Sequence, residues 1–212
     1  MSAGGAMIVV IDYGMGNSGS VVNMLKRIGE GVVLSSQPAD IEKATKLILP
    51  GVGSFDNGMA NLRRLGLVDA LNEKVLGHQT PILGICLGIQ LFTEGSDEGT
   101  AAGFGWIRGR AHRFSADEIG DTLRIPHMGW NFLRVRKEHP VVAGLESDAR
   151  FYFVHSYHVR CDDPADILTT TSYGIDFVSS VARGPVVGAQ FHPEKSLRWG
   201  MNIFRRFVNG SW

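Results

Sequence analysis

A cysteine framed by glycines is the first feature of this chain that could do covalent chemistry. Gly84-Ile85-Cys86-Leu87-Gly88 lies between an apolar run, Pro81 to Ile85, and a helical run through Gln90, Leu91 and Phe92. Such a segment has the form of a nucleophile elbow: small flanking residues let the chain turn sharply from strand to helix and leave the central side chain exposed in a strained position. A helix start there also favours an anionic sulfur. A buried structural cysteine is the plainer alternative for the pentapeptide alone. A thiol nucleophile needs a base, and seven histidines compete for the role. His192 alone follows a strand and leads straight into a carboxylate, in Gln190-Phe191-His192-Pro193-Glu194. Proline holds the residue before it extended, so side chains at i and i+2 project in related directions. Cys86, His192 and Glu194 then become nucleophile, base and orienting carboxylate.

These groups need a rigid frame, and the hydrophobic pattern supplies one. Met7 to Asp12 is a continuous apolar run ended by the turn cluster Tyr13 to Asn17, which predicts a strand buried on both faces. Val21, Met24, Leu25 and Ile28 recur at helical spacing from Asn17 or Ser18 onward, with Gly29 as the stop. Strands are predicted again at Val32 to Leu34, Lys46 to Leu49 and Pro81 to Ile85. Between the last two lie the Pro50-Gly51-Val52-Gly53 turn and helical spacing in Leu62, Leu65, Val68, Leu71 and Val75, stopped at Gly77. Alternating strands and helices imply an α/β fold, a mainly parallel open sheet with helices on both faces. The second half reads as an antiparallel extension, with strands over Asn131 to Arg136, Phe151 to Arg160, Ile167 to Thr171, Phe177 to Ala182 and Pro185 to Phe191. Core packing alone accounts for Phe151 and Phe153. A last helix covers Trp199 to Val208.

Composition narrows the class. The 212 residues suit one domain, here 7–212 after a six-residue tail, and 44% hydrophobic with 20% charged residues excludes a disordered or fibrous chain. Twenty-one basic residues balance 21 acidic ones, so no net field gathers nucleic acid or an anionic membrane. The 27 glycines are nearly twice the usual share of about 7%, which points to tight turns of the kind that build sites. Cys86 and Cys161 make no disulfide framework and no zinc spacing. No apolar run is long enough for a signal core or a membrane span, so the expectation is a cytoplasmic protein without metal or cofactor.

With these segments in view, GICLGIQ at Gly84 to Gln90 and HPE at His192 to Glu194 resemble the signature of class I glutamine amidotransferases, which hydrolyse glutamine and pass the ammonia to a synthase. IDYGMGN at Ile11 to Asn17, LPGVGSF at Leu49 to Phe55, PHMGWN at Pro126 to Asn131 and FVHSYH at Phe153 to His158 resemble, in combination, the glutaminase subunits of imidazole glycerol phosphate synthases. The resemblance implies a γ-glutamyl thioester on Cys86, with His192 moving protons and Glu194 holding the imidazole. It places oxyanion donors at Leu87 and in the turn carrying Val52 and Gly53, and glutamine contacts at Gly51, Gln90, Glu98, Ser156 and Tyr157. It implies a heterodimer with an allosterically coupled (β/α)8-barrel cyclase, with Trp130 and Lys195 at the interface. Glycines on both sides of Val52 suggest a mobile turn that could keep the oxyanion donors out of place until the partner acts.

Other readings stay open on the residues. Glu98 sits in a glycine-rich loop and could be a solvated acid. Ser18 and Gly19 replace the bulky apolar and basic residues that the family commonly carries there, and Gly19 should weaken the first helical turn by roughly 1 kcal/mol against Ala. A different thiol hydrolase would keep the elbow and the histidine but leave PHMGWN and PGVG unexplained. A non-catalytic regulatory subunit would not need all three catalytic groups. Gly14, Gly16 and Gly19 meet dinucleotide-loop spacing, but no acidic residue ends the second strand near Leu34.

Overall fold

The computed structural model describes residues 7–210; the six-residue tail expected at the start lies outside the described residues. The first half alternates as the apolar pattern requires: β1 (Ile8–Ile11), α1 (Ser18–Arg27), β2 (Val32–Ser35), α2 (Pro38–Lys43), β3 (Lys46–Gly51), α3 (Phe55–Arg64), α4 (Leu67–Asn72), a wide turn at Glu73–Gly77, β4 (Ile82–Cys86) and α5 (Leu87–Leu91). The second half brings β5 (Gly95–Ser96), β6 (Gly109–Arg113), α6 (Ala116–Ile119), β7 (His127–Phe132), β8 (Arg134–Val135), β9 (Arg150–His155), β10 (Tyr157–Cys161), β11 (Ile167–Tyr173), β12 (Ile175–Arg183), β13 (Val186–Ala189) and α7 (Leu197–Asn209).

Eleven of the described strands form one sheet, in the order β2-β1-β3-β4-β13-β12-β10-β6-β5, with β11 also beside β12 and β8 beside β11. From β2 to β13 every pairing is parallel; beyond β13 the long strands run antiparallel. Strand alternation divides the core in two. Ile8, Val10, Ile48, Leu83 and Ile85 face one way, against Val21 and Leu25 of α1 and Ile203, Phe204 and Phe207 of α7. Val9, Ile11, Leu47, Leu49 and Ile82 face the other way, against Phe55, Met59, Leu62, Leu67, Leu71 and Leu91 of α3 to α5. The sheet is therefore covered on both faces, as its continuous apolar strands demand.

Three expectations need correction. The helical spacing from Leu62 to Val75 belongs to two helices and a wide turn, because Gly66 adopts a left-handed conformation (φ 67°) that ends α3 and starts α4. The stretch Phe151 to Arg160 is two strands: β9 pairs with β7 in a separate two-stranded ribbon, whereas β10 joins the main sheet. Burial changes phase at the break, with Phe151, Phe153 and His155 buried before Ser156 and His158 and Val159 after it. The strand expected from Asn131 begins earlier, at His127, so PHMGWN lies on the ribbon.

Candidate active site

Cys86 ends β4, the strand between β3 and β13, and the parallel register sets Gly51 beside it on β3. Its backbone has φ 54° and ψ −101°, a strained conformation for a residue with a side chain, as an elbow requires. The flanking glycines do a different job from the turn itself. A Cβ on Gly84 would meet the Phe92 ring and the Gly88 carbonyl carbon, and one on Gly88 would run into the Leu49 backbone. Both are small so that α5 can press onto β3 and β4.

His192 follows β13 and is held by its backbone. Its N–H donates to the Tyr152 carbonyl at 2.9 Å, and its own carbonyl accepts from Ser196 Oγ at 2.6 Å. Nδ1 donates to Glu194 Oε1 at 2.7 Å, in a pair whose side chains are 2% and 3% exposed. Nε2 is buried beside the Cys86 thiol without a completed hydrogen bond, the looseness expected of a triad before substrate tightens it. Burial works against the imidazolium, but the Cys86 sulfur and the Glu194 carboxylate outweigh it and push the His192 pKa up to about 10. The direction follows from the hydrogen-bonding and charge interactions of the ring with the Cys86 sulfur and the Glu194 carboxylate, which favour the imidazolium. A protonated imidazole beside a sulfur is the arrangement that activates a thiol.

Cys86 opens onto a cleft of about 470 Å³ lined by Val52, Gly53, Ser54, Leu87, Gln90, Glu98, Pro126, Val154, His155, Ser156 and Tyr157. A larger hollow around His139 to Leu145, about 680 Å³, contains none of the three candidate catalytic groups. The cleft thus gathers the residues expected for the oxyanion, Val52, Gly53 and Leu87, with the glutamine contacts Gln90, Glu98, Ser156 and Tyr157. Gly51 lies just behind, under the Tyr13 hydroxyl: a Cβ there would collide with that hydroxyl and fall 2.8 Å from Leu87 Cβ. Gly51 is therefore fixed by close packing, while Gly53, at φ +114°, is fixed by its backbone conformation. Gly16, at φ +98°, approaches the Gly51 backbone so closely that a Cβ would sit 3.0 Å from it. Gly16 thus buttresses the turn after β3, a packing reason for this glycine that needs no nucleotide.

Glu98 is exposed as a solvated acid would be, yet it stands at the cleft. Its Oε2 accepts from the first N–H of α3, Phe55, at 2.8 Å. Asp56 returns the link by accepting from Thr100 and Ala101, both at 3.0 Å, and these two bonds hold its carboxyl below the usual range. Trp130 and Lys195, expected at an interface, both approach Tyr152: the Trp130 ring at 6.0 Å edge-on and Lys195 Nζ at 5.6 Å from its centroid. Sequence reasoning passed over Gln190, His127 and His155. Gln190 Nε2 lies 3.8 Å from Cys86 Sγ, and His155 lines the cleft while meeting His127 at 3.1 Å. The one signal for Gln190 was its i, i+2 relation to His192. Among the described residues no cluster of His, Cys, Asp or Glu could hold a metal ion.

Residues 9–210 match the family of class-I glutamine amidotransferases. The chain is 52% identical to imidazole glycerol phosphate synthase subunit HisH 2 of Pseudomonas aeruginosa and 48% identical to subunit HisH 2 of Methanococcus maripaludis, in each case over 95% of this chain and 98% of the relative. A crystal structure described as a glutamine amidotransferase superposes with a TM-score of 0.74 at 21% identity, covering 94% of this chain and 96% of that one. The structure of PurLQS from Thermotoga maritima gives 0.74 at 18% identity, covering 97% and 98%. These two likenesses establish the fold, while the closer relatives and the family match establish the lineage. The chain belongs to the class I glutamine amidotransferases and, within them, to the HisH subunits of imidazole glycerol phosphate synthase.

Proposed function

We propose that this chain hydrolyses glutamine to glutamate and ammonia and hands the ammonia to a (β/α)8-barrel cyclase, which makes imidazole glycerol phosphate and aminoimidazole carboxamide ribotide in histidine biosynthesis. The observation that carries this reading is the cleft itself: a thiol on a strained elbow, beside an imidazole fixed by a buried carboxylate at 2.7 Å. Cys86 Sγ attacks the side-chain carboxamide carbon of glutamine. The oxyanion is stabilised by backbone N–H groups at Leu87 and in the Val52-Gly53 turn. His192 gives its proton to the departing nitrogen, the C–N bond breaks, and ammonia leaves a γ-glutamyl thioester. Water then attacks the thioester carbon, His192 takes the water proton, and glutamate departs. Glu194 keeps the Nδ1–H tautomer and the ring orientation throughout. No metal or cofactor enters these steps.

Ammonia released into neutral water is protonated and lost as a nucleophile, so the partner must cover the exit. The ribbon strand β7 suits such a contact. Met128, Trp130 and Phe132 alternate onto one face and are 62%, 45% and 50% exposed, an apolar row ready for burial. Lys195 extends that face beside Tyr152, whose carbonyl already binds the His192 backbone. The reading places both proteins in the cytoplasm. An alkylating chloroketone analogue of glutamine tests it: modification is expected at Cys86 alone and is slowed by glutamine. Labelling elsewhere, or labelling that glutamine does not slow, contradicts it.

A further inference from the structure

Gln190 is used by none of the roles above, yet it stands at the reacting sulfur. It is 0% exposed. The register that pairs Gly188 with Gly84 and Ala189 with Ile85 brings the next residue, Gln190, level with Cys86. A buried carboxamide must satisfy both ends, and here the neighbours dictate which end faces the sulfur. The Gln90 atom 3.1 Å from the Tyr157 carbonyl must be a nitrogen, because that oxygen only accepts. The other N–H of Gln90 reaches Gln190 at 3.2 Å, so the Gln190 atom there is its oxygen. The Gln190 nitrogen is thereby turned to Cys86 Sγ, 3.8 Å away.

Hydrogen bonds continue from Gln90 back to the ribbon. The Tyr157 carbonyl also accepts from His155 Nδ1 at 2.8 Å, which leaves His155 Nε2 without a proton. That nitrogen accepts from His127 Nδ1 at 3.1 Å, and His127 Nε2 accepts in turn from Asn131 Nδ2 at 3.3 Å. The Asn131 amide is itself oriented by donating to the Ser172 carbonyl at 3.0 Å. Burial favours the neutral form of both rings, lowering His127 to about 4 and His155 well below its ordinary value. Neutral rings are what the line requires, since an added proton on either one would set two N–H groups against each other. Every bond from Asn131 to the sulfur therefore has one allowed direction.

We propose that Gln190 is a further catalytic residue, donating its side-chain N–H to the Cys86 sulfur so that the nucleophile is held and its charge stabilised before glutamine arrives. Its amide is set by Gln90, which the Tyr157 carbonyl orients, and that carbonyl is also the end point of the hydrogen-bond line from Asn131 through His127 and His155. The proposal rests on the reading of Cys86 as nucleophile and adds a second group acting on it, opposite in kind to His192 because it is uncharged.

The test is the pH dependence of Cys86 alkylation by iodoacetamide, read from the mass of the Cys86 peptide, in the full chain and in Gln190→Met and Gln190→Glu. Methionine keeps the length but has no N–H. It should raise the alkylation midpoint by about one pH unit and lower kcat for glutamate release about 10- to 100-fold with KM nearly unchanged, the size of a hydrogen bond to a charged group. Glutamate sets a carboxylate against the sulfur and should raise the midpoint further. An unmoved midpoint in folded Gln190→Met overturns the proposal, and if that variant does not fold, an unmoved midpoint in Gln190→Glu does so. Iodoacetamide reads the sulfur whatever the substrate is. A raised midpoint in a chain that releases no glutamate from glutamine keeps the role of Gln190 and refutes the glutaminase reading, whereas glutamate release with an unmoved midpoint does the reverse.

Discussion

His192 is held more firmly by its backbone than by its reacting nitrogen. Tyr152, Ser196 and Glu194 fix the residue, while Nε2 keeps its bonding capacity for the sulfur and the substrate. Its raised pKa means the ring stays protonated through neutral pH and loses that proton only as pH climbs toward about 10. Removing the Glu194 charge takes away one of the supports for the imidazolium. Glu194→Gln should therefore move the alkaline decline of kcat/KM to lower pH and cut kcat by roughly 10²–10⁴-fold, as loss of an orienting carboxylate does in a triad; an unmoved alkaline limb in the pH–rate profile would contradict this. The candidate triad was legible in the sequence because its cues are local: an elbow pentapeptide and a carboxylate two residues from a histidine. Gln190, His127 and His155 were not, because their roles arise from contacts between segments far apart in sequence, 100 residues in the case of Gln90 and Gln190.

Glycines at two element boundaries show how differently one residue type can act. Gly19, in the first turn of α1, has open space for 4 Å around the place a Cβ would take, and its φ is not positive. Gly19→Ala should stabilise the protein by about 0.5–1 kcal/mol through helix propensity. Gly51, at the end of β3, has no room beside Tyr13 and Leu87. Gly51→Ala should destabilise by about 1–3 kcal/mol as an overpacked site and displace the turn carrying Val52. Denaturant melts of both variants check the opposite signs. Most strands and helices of the parallel half could be placed from apolar runs and glycine stops, since buried strands and amphipathic helices write those patterns directly. The break at Gly66 and the switch of sheet at Ser156 could not. Helical spacing runs on through a single left-handed glycine, and aromatic alternation does not say which sheet a strand joins.

Across the whole molecule, the β7–β9 ribbon joins an exposed apolar face to the candidate catalytic site: Trp130 pairs with Tyr152, and the Tyr152 carbonyl accepts from the His192 backbone. The same region holds three buried histidines that burial keeps neutral, His127 and His158 at about 4 and His155 well below its ordinary value. At pH above 6.5 these groups are neutral whether the chain is folded or not. Below 6.5 the unfolded chain takes up protons that the folded one refuses, so stability falls by about 1.4 kcal/mol per pH unit for each histidine until their folded pKa values are reached. His192 does not offset this loss, because below 6.5 it is protonated in both states. Urea midpoints should drop steeply between pH 6.5 and 4, and a flat profile there would show that the three rings are not buried neutral. The measurement closest to the central claim is glutamate release from glutamine by this chain alone, with a barrel cyclase subunit of imidazole glycerol phosphate synthase, and with that subunit plus its ribonucleotide substrate. Large stimulation by partner and ligand together, abolished in Cys86→Ser, is the predicted result; glutamate release that ignores a bound partner, or that survives in Cys86→Ser, would contradict it.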